Sequence, residues 1–236
     1  MAADPPTYTT LINAFTVFLT VSIHTLLYQR SLYPCTSFLT TRAYNYPVQQ
    51  SRHPAVCAWI TDAVSAVHAQ LLTGAVASIA LVVLDPASRP LERVVWDVSR
   101  FPVVSREDAH KALAPDAALV DLEEQFRGVM ARMAGLDGRL KPLPSGCSFT
   151  IAVEVREDAE PPIGRAQAWI PVEPGLQKRR GGEGRDGEKG GRDLGGIRTV
   201  PVRAVEAGAM VFEMWVEEGR AKLEGEMERS SDADDA

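Results

Sequence analysis

Residues 11 to 28, LINAFTVFLTVSIHTLLY, carry no formal charge, and apolar side chains fall on nearly every side of the helix they would form. A surface helix shows one apolar stripe, whereas a helix that is apolar all round has to be surrounded. The stretch approaches the length that spans a bilayer. It nevertheless contains Asn13, four hydroxyl residues and His24, and no basic residue precedes it as one would in a signal sequence. A buried helix at the centre of a domain is therefore expected, with no membrane partner. A chain of 236 residues can pack one domain with additions around such a helix, or two small ones.

Tyr33-Pro34 ends this run, and residues 35 to 53 read as loop and irregular strand with Pro47 as a breaker. Pro54, at a favoured first-turn position, starts a second helix that Gly74 stops. Along it Val56, Trp59, Ile60, Ala63, Val64, Val67 and Leu71 recur at helical spacing. SIALVVLD, the turn from Asp85 to Pro90, and LERVVWDVS then read as a β-hairpin. A third helix is expected over roughly 115 to 134, with Leu119, Leu122, Phe126, Val129, Met130 and Met133 on one face. The period then changes to two: Cys147, Phe149, Ile151, Val153 and Val155 alternate with smaller or polar residues, which marks a strand with one buried face. RAQAWIPV is a shorter strand candidate, and IRTVPVRAV and AMVFEMWVEE are two more. Three helices against a mostly antiparallel sheet make one α+β domain.

The most conspicuous motif carries the least chemistry. GLQKRRGGEGRDGEKGGRDLGG, residues 175 to 196, holds half of the glycine and includes Gly182-x-Gly184-x-x-Gly187 with Lys189 beyond. A phosphate loop joins a buried strand to a helix N-terminus, where backbone N–H groups and the helix dipole meet the anion. Neither flank is present here, and no Ser or Thr follows Lys189. A flexible polar insertion is the expected reading. Deleting residues 178 to 195 is expected to leave the function intact, because closure entropy grows only logarithmically with loop length. The formal charge of -6 comes from Glu213 onward, where nine acidic residues face three basic ones. The neutral body argues against direct binding of DNA, which calls for a basic face.

The sequence carries no motif of the common catalytic classes. There is no G-x-S-x-G, H-E-x-x-H or C-x-x-C. Cys35, Cys57 and Cys147 are too few and too scattered for a disulfide framework or zinc ligands, which suits a reducing compartment. His53 and Cys57 lie four apart, yet two ligands do not make a metal site. His53 reads as a helix N-terminal residue, His24 as a hydrogen-bonded core histidine, and Glu123 and Glu124 as a solvated helix face. No metal, cofactor or enzymatic activity is expected.

Five blocks in order, HTLLYQRSLYP, YNYPVQQSRHP, LVVLDPASRPLERVVWDV, PSGCSFTIAVEVRE and VPVRAV with FEMWVEE, resemble the HORMA-domain accessory subunits of DNA polymerase zeta, the translesion synthesis polymerase. The spindle-checkpoint HORMA proteins share the fold, but YNYPVQ and SGCSFT look closer to the polymerase subunits. The resemblance implies a HORMA domain over 8–218, and the acidic composition beyond it marks a disordered tail over 219–236. The resemblance also implies a C-terminal safety belt over about 160–205, which includes the insertion at 175–196.

Such domains bind an extended peptide as an added strand, and the belt crosses over it before joining the far side of the sheet. The peptide is proline-rich in this family. The resemblance points to Trp59, Trp169, Tyr44 and Pro47 as its binding residues. Trp169, next to Ile170-Pro171, is a large aromatic with few reasons to stand in such a segment except to cover something. Thr199, Val200, Glu213 and Trp215 match the face that meets the deoxycytidyl transferase scaffold of translesion synthesis. Arg127 matches the arginine through which HORMA dimers form, while Thr40 stands where a basic residue faces it. The implied partners are the polymerase zeta catalytic subunit, that scaffold, a second HORMA protein and a remodelling ATPase, in the nucleus. A checkpoint-type adaptor in mitosis is the alternative, and an enzyme with an unrecognised site is a third class.

Overall fold

The computed structural model describes residues 6–105, 107–113, 121–159, 162, 169 and 196–222. The apolar stretch forms helix α1, Tyr8–Gln29. Thr7 and Thr10 build a reciprocal cap at its start: the Thr10 N–H donates to Thr7 Oγ1 at 3.2 Å, and the Thr7 N–H donates to Thr10 Oγ1 at 2.7 Å. The helix is long and apolar enough to cross a membrane, but 67% of its most apolar window is buried inside the protein. Leu11, Ile12, Phe15, Phe18, Leu19, Ile23, Leu26 and Leu27 are fully buried, as a helix without a polar side requires.

Residues 35 to 53 are more regular than their sequence suggested. A 3₁₀ turn, Cys35–Ser37, leads into a two-stranded ribbon of β1, Phe38–Ala43, and β2, Tyr46–Ser51. The intervening Tyr44 and Asn45 both have positive φ, 52° and 53°, the pairing that two-residue hairpin turns demand. Pro47 does not break β2. It pairs with Arg42 in a ribbon where each strand has one unpaired side, so a residue without an N–H is tolerated.

Helix α2, Pro54–Leu71, begins with proline in its first turn, and His53 holds the N-cap position without a side-chain capping bond. His24 of α1 lies 6% exposed and its Nδ1 accepts the backbone N–H of Ser51 at 3.3 Å, tying α1 to the end of β2. Burial lowers the pKa of this imidazole below its ordinary value. The unfolded chain therefore binds a proton more readily than the folded one, and stability falls as pH drops through about 6.5. Urea unfolding at pH 7.5 and 5.5 is expected to show this loss, and His24→Gln is expected to flatten it.

The main sheet contains β3, Val76–Leu84, β4, Pro90–Asp97, β5, Ser148–Val155, β6, Gly196–Ala207, and β7, Met210–Gly219. All neighbours are antiparallel, in the order β5-β3-β4-β7-β6. Between β4 and β5 in sequence lies helix α3, Leu122–Met133. Its start falls later than the expected 115, and residues 114–120 lie outside the described residues. So do the strand candidate RAQAWIPV, apart from Trp169, and the glycine-rich stretch up to residue 195.

The helices and the ribbon share one face of the sheet with α1 in the middle, in contact with α2, β2 and α3. Phe18 stacks on Phe126 of α3 at 4.3 Å and tilts against Phe212 of β7 at 5.4 Å, while Phe15 meets Phe212 and Phe101 edge-on. The expected boundary at Gly219 needs correction: the ordered chain continues one turn past it, and Lys222 is buried at 2% exposure. Residues 223–236 lie outside the described residues.

Candidate functional site

The two edges of the sheet are built differently. At one edge, β6 pairs with β7 alone, its register shifts twice, and it contains Pro201, which has no N–H to offer. The Pro201 carbonyl is taken by the Arg139 guanidinium at 3.0 Å. Helix α3 packs against this strand, where Arg203 Nη2 donates to Gln125 Oε1 at 3.0 Å. Bulges, proline and a covering helix are the means by which proteins keep a strand edge from pairing further.

The opposite edge, β5, is less protected among the described residues: its one register irregularity lies at its end, between Val76 and Ser78 of β3. It pairs with β3 in regular register from Leu84↔Ser148 to Ser78↔Glu154 and contains no proline. Its core-facing residues Phe149, Ile151 and Val153 are only half-buried. Their counterparts on the other strands are covered: Ile79, Leu81, Val94, Trp96, Val200, Phe212, Met214 and Val216 are all at 4% exposure or below. Among the described residues β5 pairs on one side only, and an edge of that kind beside incompletely covered apolar side chains is suited to receive one more strand.

Two aromatic residues, Trp59 and Tyr33, stand beside this edge. Trp59, on the exposed side of α2 and itself 41% exposed, packs edge-on against Phe149 with ring centroids 4.9 Å apart. Tyr33, just past α1, meets the same ring at 6.3 Å. Trp169 is half-buried and packs against the main hydrophobic core. Chain direction adds a further constraint. The chain leaves β5 at Val155 on one edge of the sheet and re-enters it at Gly196 on the other.

Tyr44 and Pro47, assigned to the same peptide site by resemblance, sit elsewhere. Tyr44 packs on Phe18 and Phe126, on the α3 side of α1. Burial first, and the charge of Glu123 second, push its phenol well above the usual range. Pro47 is exposed on the β1–β2 ribbon.

The face of the sheet away from the helices carries Trp215, which lies opposite Pro201 on β6 and Val95 on β4. Trp215 closes a small apolar cluster with Ala80, Val82, Val95 and Ala152. Its indole N–H donates to Glu217 Oε1 at 2.8 Å, and Arg93 holds the other oxygen of that carboxylate. Thr199 pairs opposite Glu217, and Glu213 is exposed two residues before Trp215, so these three share the outer face. Val200 does not, because it pairs with Val216 and is buried under the helices. Arg127 is half-exposed on α3 and bonds Glu124 at 2.9 Å, and Thr40 accepts a bond from Gln49 across the ribbon. Among the described residues there is no group of three or more His, Cys, Asp or Glu placed to hold a metal ion.

No family model matches the chain. The DNA polymerase zeta processivity subunit of Schizosaccharomyces pombe is 31% identical over 207 residues, which cover 87% of this chain and 92% of the relative. The chain belongs to the HORMA family of polymerase zeta accessory subunits. Human mitotic spindle assembly checkpoint protein MAD2B is 33% identical over 142 residues, covering 60% of this chain and 64% of that protein.

Solved HORMA structures have the same fold. A chain of the mitotic checkpoint complex superposes with a TM-score of 0.64 at 19% identity, over 88% of this chain and 97% of that one. Caenorhabditis elegans HTP-2 bound to an HTP-3 closure motif gives a TM-score of 0.61 at 15% identity, over 92% and 94%. The site residues that sequence reasoning missed are Phe149 as the support of Trp59, and Tyr33. The alternation around Phe149 located its strand, but nothing local marked that strand as the open edge.

Proposed function

We propose that this chain is a non-catalytic adaptor that takes a proline-containing peptide of the polymerase zeta catalytic subunit as a sixth strand on β5. One observation carries the reading: among the described residues β5 is the less protected edge, and the chain leaving it rejoins the sheet at the opposite edge. An exit at Val155 on one edge and a re-entry at Gly196 on the other are what a belt crossing over a peptide on β5 calls for. Main-chain hydrogen bonds supply affinity regardless of sequence, while Trp59 and Trp169 select for proline by covering it with their rings. The outer face of Thr199, Glu213 and Trp215 is the contact for the deoxycytidyl transferase scaffold, so that one subunit joins two translesion factors in the nucleus.

The test is co-purification of the tagged chain, followed by mapping of the peptide protected from protease. Recovery of a proline-containing segment of the polymerase catalytic subunit is the expected result. Recovery of anaphase-regulating proteins instead would favour the checkpoint-type reading, which the similarity to MAD2B keeps in view. Enzymatic turnover by the purified chain without any partner would overturn both.

A further inference from the structure

At one end of the sheet four charged side chains are almost completely removed from water. Arg30, the residue that ends α1, has its side chain 2% exposed, Glu92 on β4 and Lys222 are at 0%, and Glu218 on β7 is at 1%. The Arg30 guanidinium embraces Glu92, donating from Nε to Oε2 at 3.0 Å and from Nη2 to Oε1 at 2.7 Å. Lys222 Nζ donates to Glu92 Oε1 and, at 2.6 Å, to Glu218 Oε1. Glu218 also accepts the Lys141 N–H at 2.9 Å and is reached by Arg198 Nη1 at 3.1 Å. The two positive and two negative buried groups balance.

Strand register gives this cluster its meaning. Glu92 and Glu218 are direct cross-strand partners. Like charges placed opposite one another destabilise a sheet, and much more so when buried. They stand on the β4–β7 seam, the strand pairing that joins the β6–β7 hairpin to β3, β4 and β5. Lys222 is the cation that both carboxylates share. The chain returns to present it only because the turn after β7 folds back: Gly219 lies so close to the start of β4 that an added Cβ would come 2.8 Å from the Pro90 carbonyl oxygen. When the hairpin is away from β4, Glu92 keeps Arg30 but loses Lys222.

We infer that Lys222 is a latch: by bridging Glu92 and Glu218 it holds the C-terminal hairpin on β4 and sets how often the belt end of the fold opens. The inference rests on the belt reading for its functional consequence, since release of a peptide under the belt requires that hairpin to leave. The latch itself is tested without any peptide. Hydrogen–deuterium exchange of the full chain is followed by mass spectrometry in the parent, in Lys222→Met, and in Lys222→Met combined with Glu218→Gln. Lys222→Met, which keeps the length of the side chain and removes its charge, is expected to speed exchange of β6 and β7 amides on the order of tenfold, with β3 and α1 still protected. The double variant removes the opposed carboxylate and is expected to recover most of the lost protection.

Unchanged hairpin exchange in Lys222→Met would overturn the latch. Equal acceleration in β3 and α1 would do the same, since the cluster would then stabilise the whole domain and not the seam. Failure of the double variant to recover protection would refute the charge-sharing account. A hairpin that loosens as expected while no peptide is ever recovered would leave the latch standing and count against the belt reading alone.

Discussion

Trp169→Ala is expected to weaken binding of the captured proline-containing peptide by about thirtyfold, roughly 2 kcal/mol, as loss of a buried aromatic anchor commonly does. Trp169 packs half-buried against the core, so part of its side chain is held by the protein and part stays exposed. Trp59 offers a comparable surface from α2, with Phe149 behind it. If the two rings cover the same proline, Trp59→Ala and the double variant are expected to be non-additive, because removing either ring opens the same pocket to water. Isothermal titration of the three variants, with unfolding midpoints to verify the fold, decides it. Unchanged affinity in a folded Trp169→Ala protein would exclude the clamp.

Phe18→Ala is expected to cost about 3–5 kcal/mol of stability, the range for truncating a fully buried phenylalanine. The ring joins four elements: Phe18 lies on α1, stacks on Phe126 of α3, tilts against Phe212 of β7 and touches Tyr44 in the ribbon turn. A cavity there would loosen the central helix from three neighbours at once. The adjacent Val17, 59% exposed, serves as the control, and Val17→Ala is expected to change stability by no more than about 0.5 kcal/mol. Urea midpoints for the two variants separate the predictions clearly. A Phe18→Ala loss below about 1 kcal/mol would mean that α1 is not the shared core proposed here.

Much of the fold was legible because its signals are local. The all-round apolar pattern of residues 11 to 28 demanded a central helix, and α1 is one. Period-two alternation located β5, and the β-branched runs located β3, β4, β6 and β7. The ribbon was misjudged for an identifiable reason. Pro47 normally argues against a strand, but a two-stranded ribbon leaves each strand one unpaired side where a proline fits. The tail was expected from Gly219 because acidic residues dominate the chain beyond it, whereas Gly219 lets β7 approach the start of β4 and Lys222 is buried.

The candidate site was legible only in part. Trp169 stood out as an aromatic with few reasons to stand in its segment, whereas Trp59 recurred with the core residues of α2 and was singled out by the resemblance. Tyr44 was grouped with them by its place in a motif, and packing assigned it to α3 instead. Val200 was grouped with Trp215, although strand alternation puts the two on opposite faces.

By itself the sequence determined the periodicities, hence the helices and strands, the faces that each residue pair shares, and membership of the polymerase zeta accessory family. Tertiary structure alone decided which strand is the open edge, and that four scattered charges become one cluster. The physical reason is separation along the chain. Periodicity reports on a residue and its near neighbours, whereas Arg30 meets Glu92 across 62 positions and Lys222 meets Glu92 across 130. Contacts of that span exist only after the sheet has been ordered β5-β3-β4-β7-β6, and no local pattern encodes that order.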